Sequence, residues 1–125
     1  MTNSLSNLQA VLNELKNAMK DFREQGNTYT LYVEKTGLSE SEQIELLETL
    51  GKGNITIRFD ETDQPVEWFE SEFSGIWIGI YKNGRDDAIV HTIEVGRYPA
   101  VAGAFNEDII EAEEELQKYI DAADL

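Results

Sequence analysis

Two hydrophobic periods divide this chain. Leu5, Leu8, Val11, Leu12, Leu15, Met19 and Phe22 recur at steps of three and four, the stripe of an amphipathic helix. From Asn54 to Tyr98 the period drops to two. Ile55, Ile57 and Phe59 alternate with Thr56 and Arg58, as on a half-buried strand. A helix with one apolar face needs a surface to cover, and alternating strands supply one. The chain is therefore expected to be a single α+β domain over residues 1–125, with helices on one face of a largely antiparallel sheet of about five strands.

The punctuation fits that reading. Ser6 with Gln9, or a start at Ser4, opens the first helix, and Gly26 stops it after about 20 residues. Thr28–Glu34 is rich in β-branched and aromatic residues and reads as a strand. Ser39 and Glu42 have capping-box spacing ahead of a second helix through Ile44, Leu46, Leu47 and Leu50, closed by Gly51 and Gly53. Strands follow at 54–59, 66–73, 76–82 and 88–95, with a turn at 60–65 and a hairpin signal at Asn83-Gly84. Ile76, Ile78 and Ile80 oppose Trp77 and Tyr81, so the third of these four carries bulk on both faces and belongs at the centre of the sheet. Pro99 ends the sheet region. Asn106 caps a last helix with Ile109, Ile110, Leu116, Ile120 and Ala123 on its stripe, giving the order α-β-α-β-β-β-β-α.

Charge and composition narrow the function classes. Ten Lys and Arg stand against 25 Asp and Glu, a formal charge of −15. Nucleic-acid and anionic-membrane binding rest on cations, so both are disfavoured. There is no cysteine, which removes disulfides, thiolate metal sites and a cysteine nucleophile. With no basic leader and no long apolar run, the expected location is the cytoplasm.

The motifs for catalysis are weak. His91 is the single histidine, and it sits on an apolar strand beside Ile89 and Ile93, where a partly buried, hydrogen-bonded side chain is the ordinary role. Asp60-Glu61-Thr62-Asp63 lacks the glycine and distal glutamate of a calcium loop. Gly51-Lys52-Gly53 follows a helix, and no Ser or Thr follows the lysine, unlike a phosphate loop. No metal or cofactor is expected. Two surfaces suit a protein partner instead. One is an aromatic face, since Trp68 and Phe69 must point to opposite sides of a strand and Trp77 and Tyr98 lie in the same region. The other is the last helix, where Glu111, Glu114 and Glu115 belong to an acidic run relieved only by Lys118.

Leu50-Gly51-Lys52-Gly53-Asn54-Ile55-Thr56-Ile57, Phe73-Ser74-Gly75-Ile76-Trp77, and Ile93-Glu94-Val95 ahead of Pro99 resemble, in order and spacing, the C-terminal conserved region of hydrogenase expression/formation proteins of the HupH/HyaF type. The resemblance runs over about residues 39 to 105 and extends to the preceding helix and strand. It implies a non-catalytic, chaperone-like accessory protein for maturation of nickel–iron hydrogenase, with the iron–sulfur small subunit or other maturation proteins as partners. Members of that family typically carry a further N-terminal region. Trp68, Gly75, Trp77, Glu94, Tyr98, Glu111, Glu114 and Glu115 are the expected protein-binding residues. A generic interaction module with another client and a small carboxylate-based enzyme are the alternatives; a concave pocket with converging polar groups and perturbed carboxylates would favour the enzyme.

Overall fold

A computed structural model of the chain describes residues 6–60 and 62–123. Leu5, the first residue of the expected helical stripe, lies outside them.

Helix α1 spans Asn7–Gln25. Ser6 is its cap, in a reciprocal box. Its Oγ accepts the Gln9 N–H at 3.1 Å, and Gln9 Oε1 accepts the Ser6 N–H at 3.0 Å. Gly26 ends the helix in the left-handed region (φ 81°). Strand β1 (Tyr29–Tyr32) is shorter than the expected 28–34, because Val33–Lys35 winds into a 3-10 turn that buries Val33. Helix α2 (Glu40–Leu50) carries the expected Ser39/Glu42 box. Four strands then run as a meander: β2 (Thr56–Phe59), β3 (Val66–Glu70), β4 (Ile76–Lys82) and β5 (Ala88–Val95). Helix α3 spans Asn106–Ala123, so Asn106 is its first residue and not a cap outside it.

All pairings are antiparallel, in the spatial order β1-β5-β4-β3-β2. β4 is central, as its two apolar faces require. The β4–β5 hairpin forms, but not as a two-residue turn on Asn83-Gly84. The loop is longer, and the positive φ falls on Asp86 (67°). Asn83 Oδ1 accepts the N–H of Arg85 and of Asp87, closing the loop through a side chain.

The sheet's two faces differ. On one, Leu31, Ile76, Ile78, Ile93 and Val95 pack with Val11 and Leu15 of α1 and Leu46 and Leu50 of α2. The other bears a small cluster of Val66, Trp68 and Trp77, with Ile57 and Tyr81 against it. β2 presents its apolar residues to this second, helix-free face. Ile57 is consequently half-buried, while Ile55 and Phe59 are exposed rather than half-buried as their alternation predicts. α3 does not join the helical layer; each of its described residues is exposed.

The Trp68 indole crosses β4 over Gly79, its register partner. A Cβ at residue 79 would overlap Thr92 Oγ1 and approach Trp68 Cδ1 to 2.9 Å. Gly79→Ala is therefore expected to cost about 1–3 kcal/mol of stability by overpacking. Gly84→Ala, which meets open space, serves as the near-neutral control. Urea unfolding of both variants checks this, and equal midpoints would refute it.

Candidate functional site

Four of the sequence-predicted residues meet at the centre and one end of the sheet. Trp68 and Trp77 are 2% and 3% exposed, and Glu94 is 7% exposed. Glu94 lies opposite Trp77 across β4–β5. Its Oε2 accepts the Trp68 indole N–H at 2.9 Å and the Thr92 hydroxyl at 3.0 Å. Tyr81 meets the Trp68 ring edge-on at 6.1 Å. The two tryptophans thus serve the interior, and the aromatic face they were expected to offer a partner is closed over by their own packing.

Gly75 stands at the start of β4 with φ 91°. Its N–H donates to Glu70 Oε2 at 3.1 Å, and its carbonyl accepts the Gly96 N–H at 2.9 Å. The Trp77 indole N–H donates to the Gly96 carbonyl at 3.3 Å. These bonds tie the β3–β4 turn to the end of β5. The Leu-Gly-x-Gly segment is a second knot on the same turn. The Glu72 N–H donates to the Leu50 carbonyl at 2.8 Å, and the Gly53 N–H to the Glu70 carbonyl at 2.6 Å. A Cβ at Gly53 would lie 2.8 Å from the Ser71 carbonyl oxygen, so only glycine lets the two backbones approach this closely. Tyr98 is 55% exposed beyond the β5 end. Glu111, Glu114 and Glu115 sit apart from this centre, exposed on α3.

The knotted turn forms one wall of a groove of about 670 Å³, with Glu70, Ser74, Gly75, Val95 and Gly96 on that side. The opposite wall is the second half of α1, with Met19 and Phe22 as its apolar surface. Lys16, Lys20, Arg23 and Arg97 surround them, four of the ten cations in the chain. The Arg97 guanidinium lies 5.8 Å from the centre of the Phe22 ring. Among the described residues Arg23 pairs only with its neighbour Glu24, at 3.7 Å. Lys16, Lys20 and Arg97 have no carboxylate within salt-bridge distance among the described residues. Sequence reasoning passed over this cluster. Its signal was there, because Lys16, Lys20 and Arg23 have helical i, i+4, i+7 spacing in a chain short of cations.

His91 takes the structural role expected of it. Its backbone N–H and its Nδ1 both contact the Glu34 carboxylate, Nδ1 at 2.8 Å from Oε2. Burial alone would raise the Glu34 pKa. The hydrogen bonds from the His91 N–H and imidazole outweigh it and hold the carboxyl below its ordinary value. A depressed carboxylate contributes stability above its unfolded pKa, about 4.3, and loses it as pH falls through the folded value. His91→Ala is expected to lower the melting temperature near neutral pH, with the gap to wild type narrowing as pH falls below the ordinary carboxylate range and Glu34 is protonated. A gap that stays constant across that range in thermal melts would contradict the assignment.

No group of three or more potential metal ligands occurs among the described residues. No described helix is long and apolar enough to cross a membrane. What the geometry offers is a contact surface, a cation-lined groove on one side and an amphipathic helix standing clear of the body. That is the form of a small α+β domain with two exposed surfaces. The family model for the C-terminal conserved region of the HupH hydrogenase expression protein matches residues 5–123, and the chain belongs to that family. A solved structure, the hydrogenase expression protein HupH from Thiobacillus denitrificans ATCC 25259, superposes with a TM-score of 0.82 at 22% sequence identity. The alignment covers 97% of this chain and 98% of that one. At that identity the likeness speaks for the fold, and it agrees with the α+β architecture. No curated protein matches the chain.

Proposed function

We infer that this accessory protein of hydrogenase biosynthesis acts without catalysis, by holding the iron–sulfur small subunit of a nickel–iron hydrogenase during its maturation. Family membership gives the process. The exposed apolar seam of α3 carries the step to protein binding. Phe105, Ile109, Ala112, Leu116, Tyr119 and Ala123 recur at alternating steps of four and three, the spacing of a helix that packs along another element. Leu116 is 62% and Tyr119 70% exposed. Contiguous apolar surface of this kind marks an interaction site. Of the two partner surfaces expected from sequence, the acidic helix is the accessible one, since Trp68 and Trp77 are buried.

The test is capture of the small subunit by the tagged protein from a lysate of cells induced for hydrogenase, with mass spectrometry of the retained proteins. Recovery of the small subunit is expected with wild type. Leu116→Glu/Tyr119→Glu is expected to lose it at least about tenfold, with an unchanged circular dichroism spectrum because both side chains are exposed. Absence of the small subunit from the wild-type capture, or its full retention by the double variant, would sink the reading.

A further inference from the structure

We propose that the cation-lined groove beside α1 is a seat for the α3 helix of a second copy of this chain, so that two copies exchange α3 across a twofold axis. Three observations carry this. First, the groove combines apolar Met19 and Phe22 with Lys16, Lys20, Arg23 and Arg97 on a molecule whose formal charge is −15. Its complement is an anionic segment with an apolar stripe. Second, α3 is such a segment. Asn106–Ala123 holds Glu107, Asp108, Glu111, Glu113, Glu114, Glu115 and Asp121 against Lys118 alone. On the helical period, Asp108, Glu113 and Glu115 flank the seam while Glu111 and Glu114 lie away from it. Carboxylates therefore border the apolar stripe of α3 much as cations border that of the groove.

Third, the dimensions agree. α3 is 18 residues long, about 27 Å. A second, separate depression on α1, lined by Gln9, Leu12, Asn13 and Lys16, meets the groove at Lys16, and the two together run from Gln9 to Arg23, about 21 Å. The chain's own α3 does not occupy the seat, as all its described residues are exposed. Its point of departure is fixed. The Gly96 carbonyl is held by Trp77, Pro99 is buried, and a 3-10 turn follows at Ala100–Ala102. Pairing of two α3 helices with each other would bring like charges together along the seam. Exchange into the groove matches opposite charges at both contacts, and a twofold arrangement closes after two copies. The client-binding seam is covered in such a dimer, so the second copy and the client compete for α3, and the client-free protein is the paired form.

The test is charge exchange, read by sedimentation velocity of the full chain over a range of concentration. Wild type is expected to dimerise. Lys20→Glu/Arg23→Glu and Glu113→Lys/Glu115→Lys are each expected to weaken the dimer at least about tenfold. All four positions are exposed, and circular dichroism verifies that both variants fold. Mixing the two variants restores opposite charge at both contacts, so a heterodimer is expected. A wild type that stays monomeric throughout overturns the proposal. So does a dimer indifferent to the groove reversals, or a mixture of the two variants that fails to associate. A monomeric wild type that still captures the small subunit overturns this proposal alone, whereas a charge-dependent dimer without capture overturns only the client reading.

Discussion

An indole can reach across the middle strand of this sheet only because residue 79 has no side chain. Trp68 uses that gap to carry its N–H to Glu94 on β5, and the Thr92 hydroxyl meets the same carboxylate oxygen. β3 and β5, the neighbours of β4 on either side, are thereby joined by side chains across it. The bond also allows a glutamate to be buried without an orphaned polar group; no described buried side-chain nitrogen or oxygen lacks a partner. The helix-free face closes with few residues, Trp68 packing edge-on against Tyr81 and the Trp77 indole bonded to the Gly96 carbonyl. α1 and α2 are then needed only on the other face, which leaves the outer side of α1 available as a groove wall.

The short glycine motifs have a mechanical explanation. Gly53 permits the α2 exit to touch the backbone of residues 70–71, and Gly75 adopts a positive φ that turns the chain into β4. Both act on the same turn, and that turn is a wall of the groove. A Cβ at either place would move the wall or strain it. The family resemblance therefore falls on residues that shape the groove wall.

Much of this was legible in the sequence, for reasons that can be named. α1 and α2 announced themselves because stripe, capping box and glycine stop agree at each. The central place of β4 followed from bulk on both its faces. β2 misled because alternation reports two unlike faces and not that the apolar one is covered; Ile55 and Phe59 face the side without a helix. Asn83-Gly84 marked the hairpin correctly but not its type, since the Asn83 side chain accepts two backbone N–H groups and shifts the left-handed residue to Asp86. Trp68 and Trp77 looked like contact residues because aromatic pairs on a strand do not reveal which neighbours will shield them. The Glu94 bond joins residues 26 positions apart, and the groove joins α1 to the end of β5. No local pattern encodes juxtapositions of that range.

The sheet's topology also bears on how the chain is assembled in time. β1 pairs with β5, Tyr29 against Val95, while α1 and α2 precede the whole β2–β5 meander. During synthesis from the N-terminus, both helices leave the ribosome before the strands they cover exist. Their apolar stripes stay unsatisfied until the hairpins form and Ile93 and Val95 arrive. The meander is built of neighbouring strands and closes quickly, whereas the β1–β5 ladder must close a loop spanning most of the domain. The first edge of the chain to be made is thus the last to be secured. A stall before residue 88 leaves a nascent protein whose helical layer lacks β5, the strand that joins β1 to the rest of the sheet.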